Sequence, residues 1–258
     1  MAQKNYTLGK GDVYFARFVT GEEPGPYRFV GNTPELNLTT ETETLDHVSS
    51  DEGINQVDTS VPLSVTRSGS MTMDDIQRKN LALFFLGEVA RVAQAEVAAG
   101  TTEEFEGAKK DDTFIIGRTA ERPFGLQGTV ISAVTIGGTA ATEGQDFSKD
   151  EENGMVTVRD TSRYEGNMVV TYGAAAREYD QVISGSTHVQ GAMRFAEDNP
   201  KGDNNTWDFP KVSVAPNGDI SLKGDEWRQI PFSLNVLQPS ATGTQAIYIN
   251  GKPAPAEM

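Results

Sequence analysis

Glu35-Leu36-Asn37-Leu38-Thr39-Thr40-Glu41-Thr42-Glu43-Thr44 is the stretch that decides the fold class. Leu36 and Leu38 alternate with polar neighbours, and the Thr/Glu run after them is polar yet β-prone, so the stretch predicts a strand with one wet face, or an extended arm. Residues 46–59 follow, rich in Ser, Asp and Gly with few apolar anchors, which predicts a long exposed loop. Val61, Leu63 and Val65 then alternate with Ser64 and Thr66, a half-buried strand ending at Ser68-Gly69-Ser70.

Upstream, residues 12–19 are aromatic and β-branched, and Gly21-Glu22-Glu23-Pro24-Gly25-Pro26 separates them from a second short strand at 27–30. Downstream, Thr72 with Asp75 three residues on resembles a capping box. It predicts one helix running through Asn80-Leu81-Ala82-Leu83-Phe84-Phe85-Leu86 and stopped by Gly87. Residues 88–99 carry Ala and Val at loose helical spacing and read as a second helix or an excursion. Strands are expected at 130–136, 155–158 and 168–172, separated by Gly137-Gly138, Asn153-Gly154 and Glu165-Gly166-Asn167. These make residues 119–173 a self-contained β-rich insertion, with 1–118 and 174–258 forming the core domain. The last third predicts strands at 189–195, 211–214, 220–222, 230–237 and 246–249, with Pro216-Asn217-Gly218-Asp219 as a tight hairpin turn.

The chain has 258 residues, of which 37% are hydrophobic and 23% charged, enough apolar material for a packed core. It has no cysteine, so disulfides, thiolate nucleophiles and Cys-based metal sites are excluded. The formal net charge of -15 opposes any function that grips nucleic-acid phosphates. Met1-Ala2-Gln3-Lys4-Asn5-Tyr6-Thr7 lacks an apolar signal core, and the longest apolar run, residues 81–86, is too short to span a bilayer. The expectation is a protein made and kept in the cytoplasm, or exported by a route other than general secretion.

No constellation points to catalysis. His47 and His188 are the two imidazoles, and neither sits in a metal-ligand pattern. Ser184-Gly185-Ser186 near His188 lacks the strand, turn and helix of a nucleophile elbow, and Gly9-Lys10-Gly11 lacks P-loop spacing. Asp150-Glu151-Glu152-Asn153-Gly154 misses the alternating acids of a calcium loop and reads as a turn. Asp198-Asn199-Pro200-Lys201-Gly202-Asp203-Asn204-Asn205 clusters hard oxygen donors but also has the composition of any surface loop. Trp207 and Trp227 lie in or beside strands and are expected to pack or to line interfaces. No catalytic, cofactor or metal residue is assigned.

Gly31-Asn32-Thr33-Pro34-Glu35-Leu36-Asn37-Leu38, the Thr/Glu run and Leu45-Asp46-His47 together resemble the N-terminal strand and loop of the major tail tube proteins of long-tailed, non-contractile bacteriophages. The helix Asn80-Leu81-Ala82-Leu83-Phe84-Phe85-Leu86-Gly87 resembles the same family at the corresponding place. So do Pro210-Lys211-Val212, Pro216-Asn217-Gly218-Asp219, Leu222-Lys223-Gly224-Asp225-Glu226-Trp227 and residues 230–237. The likeness spans about the first 90 and the final 80 residues, and it rests on ordered co-occurrence of these segments.

The resemblance implies a mainly β fold: a β-sandwich or half-barrel with one flanking α-helix, a long stacking loop, extended N- and C-terminal arms and a β-rich insertion. Six copies would close into a ring and rings would stack, removing free sheet edges by pairing them. The stacking loop would comprise Asp46, His47, Ser49, Ser50, Asp51, Glu52, Gly53, Ile54, Asn55 and Asp58. Residues 1–60 carry ten Asp/Glu against four Lys/Arg, and Glu35, Glu41 and Glu43 are the candidate lumen acids, which would repel phosphates so that double-stranded DNA slides past. Partners implied are copies of the chain, a tape-measure protein, tail terminator and baseplate proteins, and transient DNA. The location implied is the virion tail, assembled in the host cytoplasm. Other readings are a secretion-system tube subunit, which is usually shorter, and a carbohydrate-binding or adhesive β-sandwich, which would present a patch of exposed aromatics.

Overall fold

The computed structural model describes residues 6–49, 53–160 and 166–251, and the chain is mainly β. It divides into two units, one formed by Met1–Ala90 with Gln181–Met258 and the other by Arg91–Asp180. The first unit opens with β1 (Gly11–Thr20), β2 (Glu23–Pro24), β3 (Arg28–Phe29), β4 (Glu35–Ser49), β5 (Gln56–Met73) and α1 (Arg78–Phe84). The chain leaves through β6 (Glu88–Gln94). The second unit then contains β7 (Val97–Phe105), β8 (Thr113–Ile115), β9 (Thr129–Ile136), β10 (Thr139–Ala140), β11 (Phe147–Asp150), β12 (Met155–Val158) and β13 (Met168–Ala174). The chain returns through β14 (Arg177–Ile183), which pairs with β6, and completes the first unit with β15 (Val189–Glu197), β16 (Asn205–Pro216), β17 (Ile230–Val236) and β18 (Tyr248–Gly251).

A nine-stranded sheet organises the first unit in the order β2-β1-β15-β16-β17-β5-β4, with β3 on β1 and β18 on β16. The ladders of this sheet among the described residues are antiparallel, and β17 is the clearest case of a one-sided strand. Ile230, Phe232, Leu234 and Val236 are buried while Pro231, Ser233 and Asn235 between them are not. Its apolar face lies under α1, where Phe84 meets Phe232 edge to face at 6.1 Å and 78°. Met71, Met73, Val212, Val214, Phe209, Phe15 and Val13 complete this core. Leu36 and Leu38 of β4 line a crevice with Phe195, Trp207 and Phe209 of β15 and β16, so the sheet curls back toward itself.

The helix is shorter than the sequence predicts. Thr72 belongs to β5, paired with both Glu35 and Pro231, and the expected capping box does not form. Gln77 occupies the N-cap without a side-chain cap bond. At the other end Leu86 takes the left-handed conformation (φ 53°) that Gly87 was expected to supply. Gly87 is needed for closeness instead, since a Cβ there would lie 1.7 Å from the Ile183 carbonyl oxygen. Asn80, fully buried in α1, fastens the helix: its Nδ2 donates to the Val30 and Asp75 carbonyls (2.7 and 2.9 Å), and its Oδ1 accepts from Arg28 (2.8 Å).

Residues 88–99 form parts of β6 and β7, not a helix, because Ala and Val there alternate between ladder faces and meet partner strands. The expected strand at 220–222 is absent, and residues 217–229 form a long connection between β16 and β17 in place of a tight turn. Gly218 does take a positive φ (91°), and Asn217 N–H donates to the Pro231 carbonyl. The second unit has its own core of Ile116, Val134, Ile136, Val156, Val158, Met168 and Val170, between the sheets β10-β9-β13-β7 and β11-β12-β8. It contains residues 119–173 and extends beyond them on both sides.

Candidate assembly surfaces

The expected loop at 46–59 is replaced by strand over 46–49 and 56–59. Asp46, His47 and Ser49 continue β4, Asp58 lies in β5, and Gly53, Ile54 and Asn55 precede β5 at the hairpin end. Ser50, Asp51 and Glu52 lie outside the described residues. The polar composition that suggested a loop is instead paired across the two strands: Ser60 Oγ donates to Asp46 (2.6 Å), His47 Nδ1 meets Asp58 (2.6 Å), and Ser64 Oγ donates to Glu43 (3.2 Å).

The two strands are in register from Glu35 opposite Thr72 to Ser49 opposite Gln56, with irregularities beside Glu43/Thr44 and His47/Val48. β17 supports β5 only from Met73 to Arg67. Beyond Arg67 the hairpin has no third strand among the described residues, and it is exposed on both faces. Leu45, Val48, Ile54, Val57, Val61, Leu63 and Val65 are all exposed there, Ile54 at 71% and Leu45 at 61%. A two-stranded hairpin is marginally stable alone in water, and the outer edge of β4 has no partner strand among the described residues.

Glu35, Asn37, Thr39, Glu41 and Glu43 alternate along one side of β4, so the three candidate acids share a face. Following the register inward, that face continues through Ser64, Thr66, Ser68 and Ser70 of β5, Ser233 and Asn235 of β17, and Ser213 and Ala215 of β16. It is the side opposite α1 and the core. The row holds carboxylates, hydroxyls and amides and no lysine or arginine. Farther across, Arg194 is neutralised by Asp208 at 2.5 Å while lying over the Tyr27 ring. The result is a broad polar surface with an acidic margin.

Two further carboxylates are tied into the fold by hydrogen bonds. Glu22 accepts from Lys211 Nζ (2.5 Å) and from Ser240 Oγ and N–H (2.6 and 2.8 Å), and these donors hold its carboxyl down to about 2. Glu197 accepts from Trp207 Nε1 (2.7 Å), Asn205 N–H (2.8 Å) and Asn199 Nδ2 (3.0 Å). Burial alone would raise its pKa, but these donors outweigh burial and lower it. The 198–205 loop thus spends oxygens on its own hydrogen bonds, Asn204 Oδ1 accepting from Asn199 N–H (2.8 Å). No group of three His, Asp or Glu residues able to hold a metal ion occurs among the described residues. His188 lines a shallow crevice with Arg67, Gln190, Ser213 and Asn235, far along the chain from His47 on the hairpin.

Of the two tryptophans, Trp207 packs against the core, whereas Trp227 is 94% exposed, and Leu222 of the same segment is exposed as well. Nothing in the composition of that segment signals the exposure of Trp227. No described helix is long and apolar enough to cross a membrane. No curated protein matches the chain. A family model described as "Protein of unknown function UCP028589" matches residues 6–247, nearly the whole length, and the chain belongs to that family.

Proposed function

We propose that this chain is a structural subunit that assembles with copies of itself into stacked rings around a channel, as the tail tube of a long-tailed phage does, and that the channel passes double-stranded DNA. The observation that carries the reading is the outer half of the β4–β5 hairpin, which exposes seven large apolar side chains with no third strand to support it among the described residues. A monomer gains nothing from such an element, whereas a neighbouring copy would cover its apolar side chains and pair its edge. The polar face bearing Glu35, Glu41 and Glu43 supports a lumen role, because its row of carboxylates, hydroxyls and amides has few cations near it, Arg67 in the crevice with Ser213 and Asn235 and the Asp208-paired Arg194, to hold a phosphate backbone. On this reading the subunit's place is the virion tail, and tape-measure, terminator and baseplate proteins are its other partners.

The test is a variant in which residues 45–61 are replaced by a two-residue Asn-Gly turn, joining Thr44 to Pro62, which face each other in the ladder. The expected result is a folded monomer with an unchanged far-ultraviolet spectrum that forms no stacked rings in electron micrographs. Stacks indistinguishable from those of the unaltered chain would refute the role given to the hairpin.

A further inference from the structure

A cleft of about 380 Å³ opens on the first unit between β1, the turn after β2 and α1. Its apolar walls are Phe15, Phe18, Pro26, Ala82 and Leu83, and its charged residues are Arg17, Arg28 and Lys79 against the single acid Glu88. Arg17 donates to the Gly87 carbonyl (3.0 Å) and Arg28 to Asn80 (2.8 Å), so both guanidiniums are held in place by neutral acceptors. Burial pushes the Arg28 pKa down, and Asp75 offsets this in part. The cleft is therefore apolar inside with a net positive lining, in the size range of sites that take one large side chain or a small ligand.

The segment between β16 and β17 has the opposite character. Trp227 stands 94% exposed and Leu222 72% exposed. Asp219, Asp225 and Glu226 outnumber Lys223 and Arg228 on it, and Arg228 is turned back to donate to the Leu222 carbonyl (2.8 Å). Two carboxylates thus directly precede an indole that has nothing to pack against. Exposed tryptophan is the side chain whose burial contributes most at protein interfaces.

We infer that Trp227 of one copy docks in the Phe15–Leu83 cleft of the next, its ring against the apolar walls and the Arg17 and Arg28 guanidiniums, with Asp225 and Glu226 beside the cationic rim. The inference rests on the self-assembly reading but concerns a different surface from the hairpin. It makes the contact heterologous: each copy offers one anchor and one socket, the kind of contact that builds a ring when the rotation between copies closes and a filament when it does not.

The absence of cysteine gives a clean test. Chain carrying Trp227→Cys is mixed with chain carrying Val19→Cys, an exposed residue on the cleft wall, and oxidised with copper–phenanthroline in air. Non-reducing electrophoresis then counts disulfide-linked pairs, and Trp227→Cys mixed with Thr139→Cys, an exposed site in the second unit, is the control. A linked pair roughly tenfold above control is expected, and Trp227→Ala should weaken self-association roughly 30-fold or more. A pair no more abundant than control overturns the docking. Micrographs of the unaltered chain separate the two failures: rings without the cross-link sink only this contact, while neither rings nor cross-link sink the self-assembly reading as well.

Discussion

Replacing Leu45, Val61 and Leu63 together by serine should leave the monomer intact and weaken assembly about a hundredfold. The three side chains are 61%, 51% and 58% exposed in the isolated chain. Burying what remains of each against a neighbouring copy is worth about 1 kcal/mol, or about 3 kcal/mol for the set. Since 1.4 kcal/mol is tenfold in association, the loss is roughly a hundredfold. Within the monomer the substitutions remove one cross-strand apolar pair, Leu45 with Val61, and otherwise change only surface. Monomer stability should therefore shift by about 1 kcal/mol or less. Light scattering across a dilution series gives the midpoint of assembly, and a thermal melt at low concentration gives monomer stability. A triple variant that assembles at the wild-type concentration would refute the reasoning, and so would a monomer that loses several kcal/mol, since the side chains would then be structural.

Three further outcomes follow from the packing. Residues 91–180 expressed alone should melt cooperatively, because Ile116, Ile136, Val158 and Met168 bury one another without residues of the first unit; a non-cooperative melt in calorimetry would contradict this. Asn80→Ala should cost about 3 kcal/mol or more by denaturant titration, since it strands the Val30 and Asp75 carbonyls and the Arg28 guanidinium in a buried place; a cost under about 1 kcal/mol would show the site to be wetter than it is drawn here. Glu22→Gln should flatten stability at low pH. The Glu22 carboxyl is held down to about 2 from an ordinary 4.5, so its contribution is complete above pH 4.5 and is lost as pH falls toward 2. Melting curves of wild type and variant should converge across that window, and parallel curves would contradict the assigned network.

The sequence announced the strands whose apolar residues alternate cleanly. Residues 12–19, 130–136, 168–172 and 189–195 all lie in strands, as do 230–236 of the expected 230–237, since period-two burial is visible without a structure. What it hid was decided between segments. Thr72 and Asp75 have capping-box spacing, yet Met73 is fully buried opposite Ile230, and this tertiary pairing extends β5 through the place where a helix was expected to begin. Residues 46–59 look like a loop because their polar side chains bond across a ladder that no single strand reveals. The shared face of Glu35, Glu41 and Glu43 follows from their even spacing along one strand, but its continuation into Ser68, Ser233 and Ser213 required the strand order β16-β17-β5-β4. The exposure of Trp227 could not be read at all, because a tryptophan among acids and glycines looks the same whether the fold or a second copy covers it.

The central claim is that this chain completes its structure only with copies of itself around a channel. Negative-stain electron microscopy of the purified chain at high concentration, paired with light scattering for mass, tests it most directly. The account predicts rings or hollow tubes with a stain-filled centre whose mass grows with concentration. Particles of monomer mass without a central channel at every concentration would contradict it.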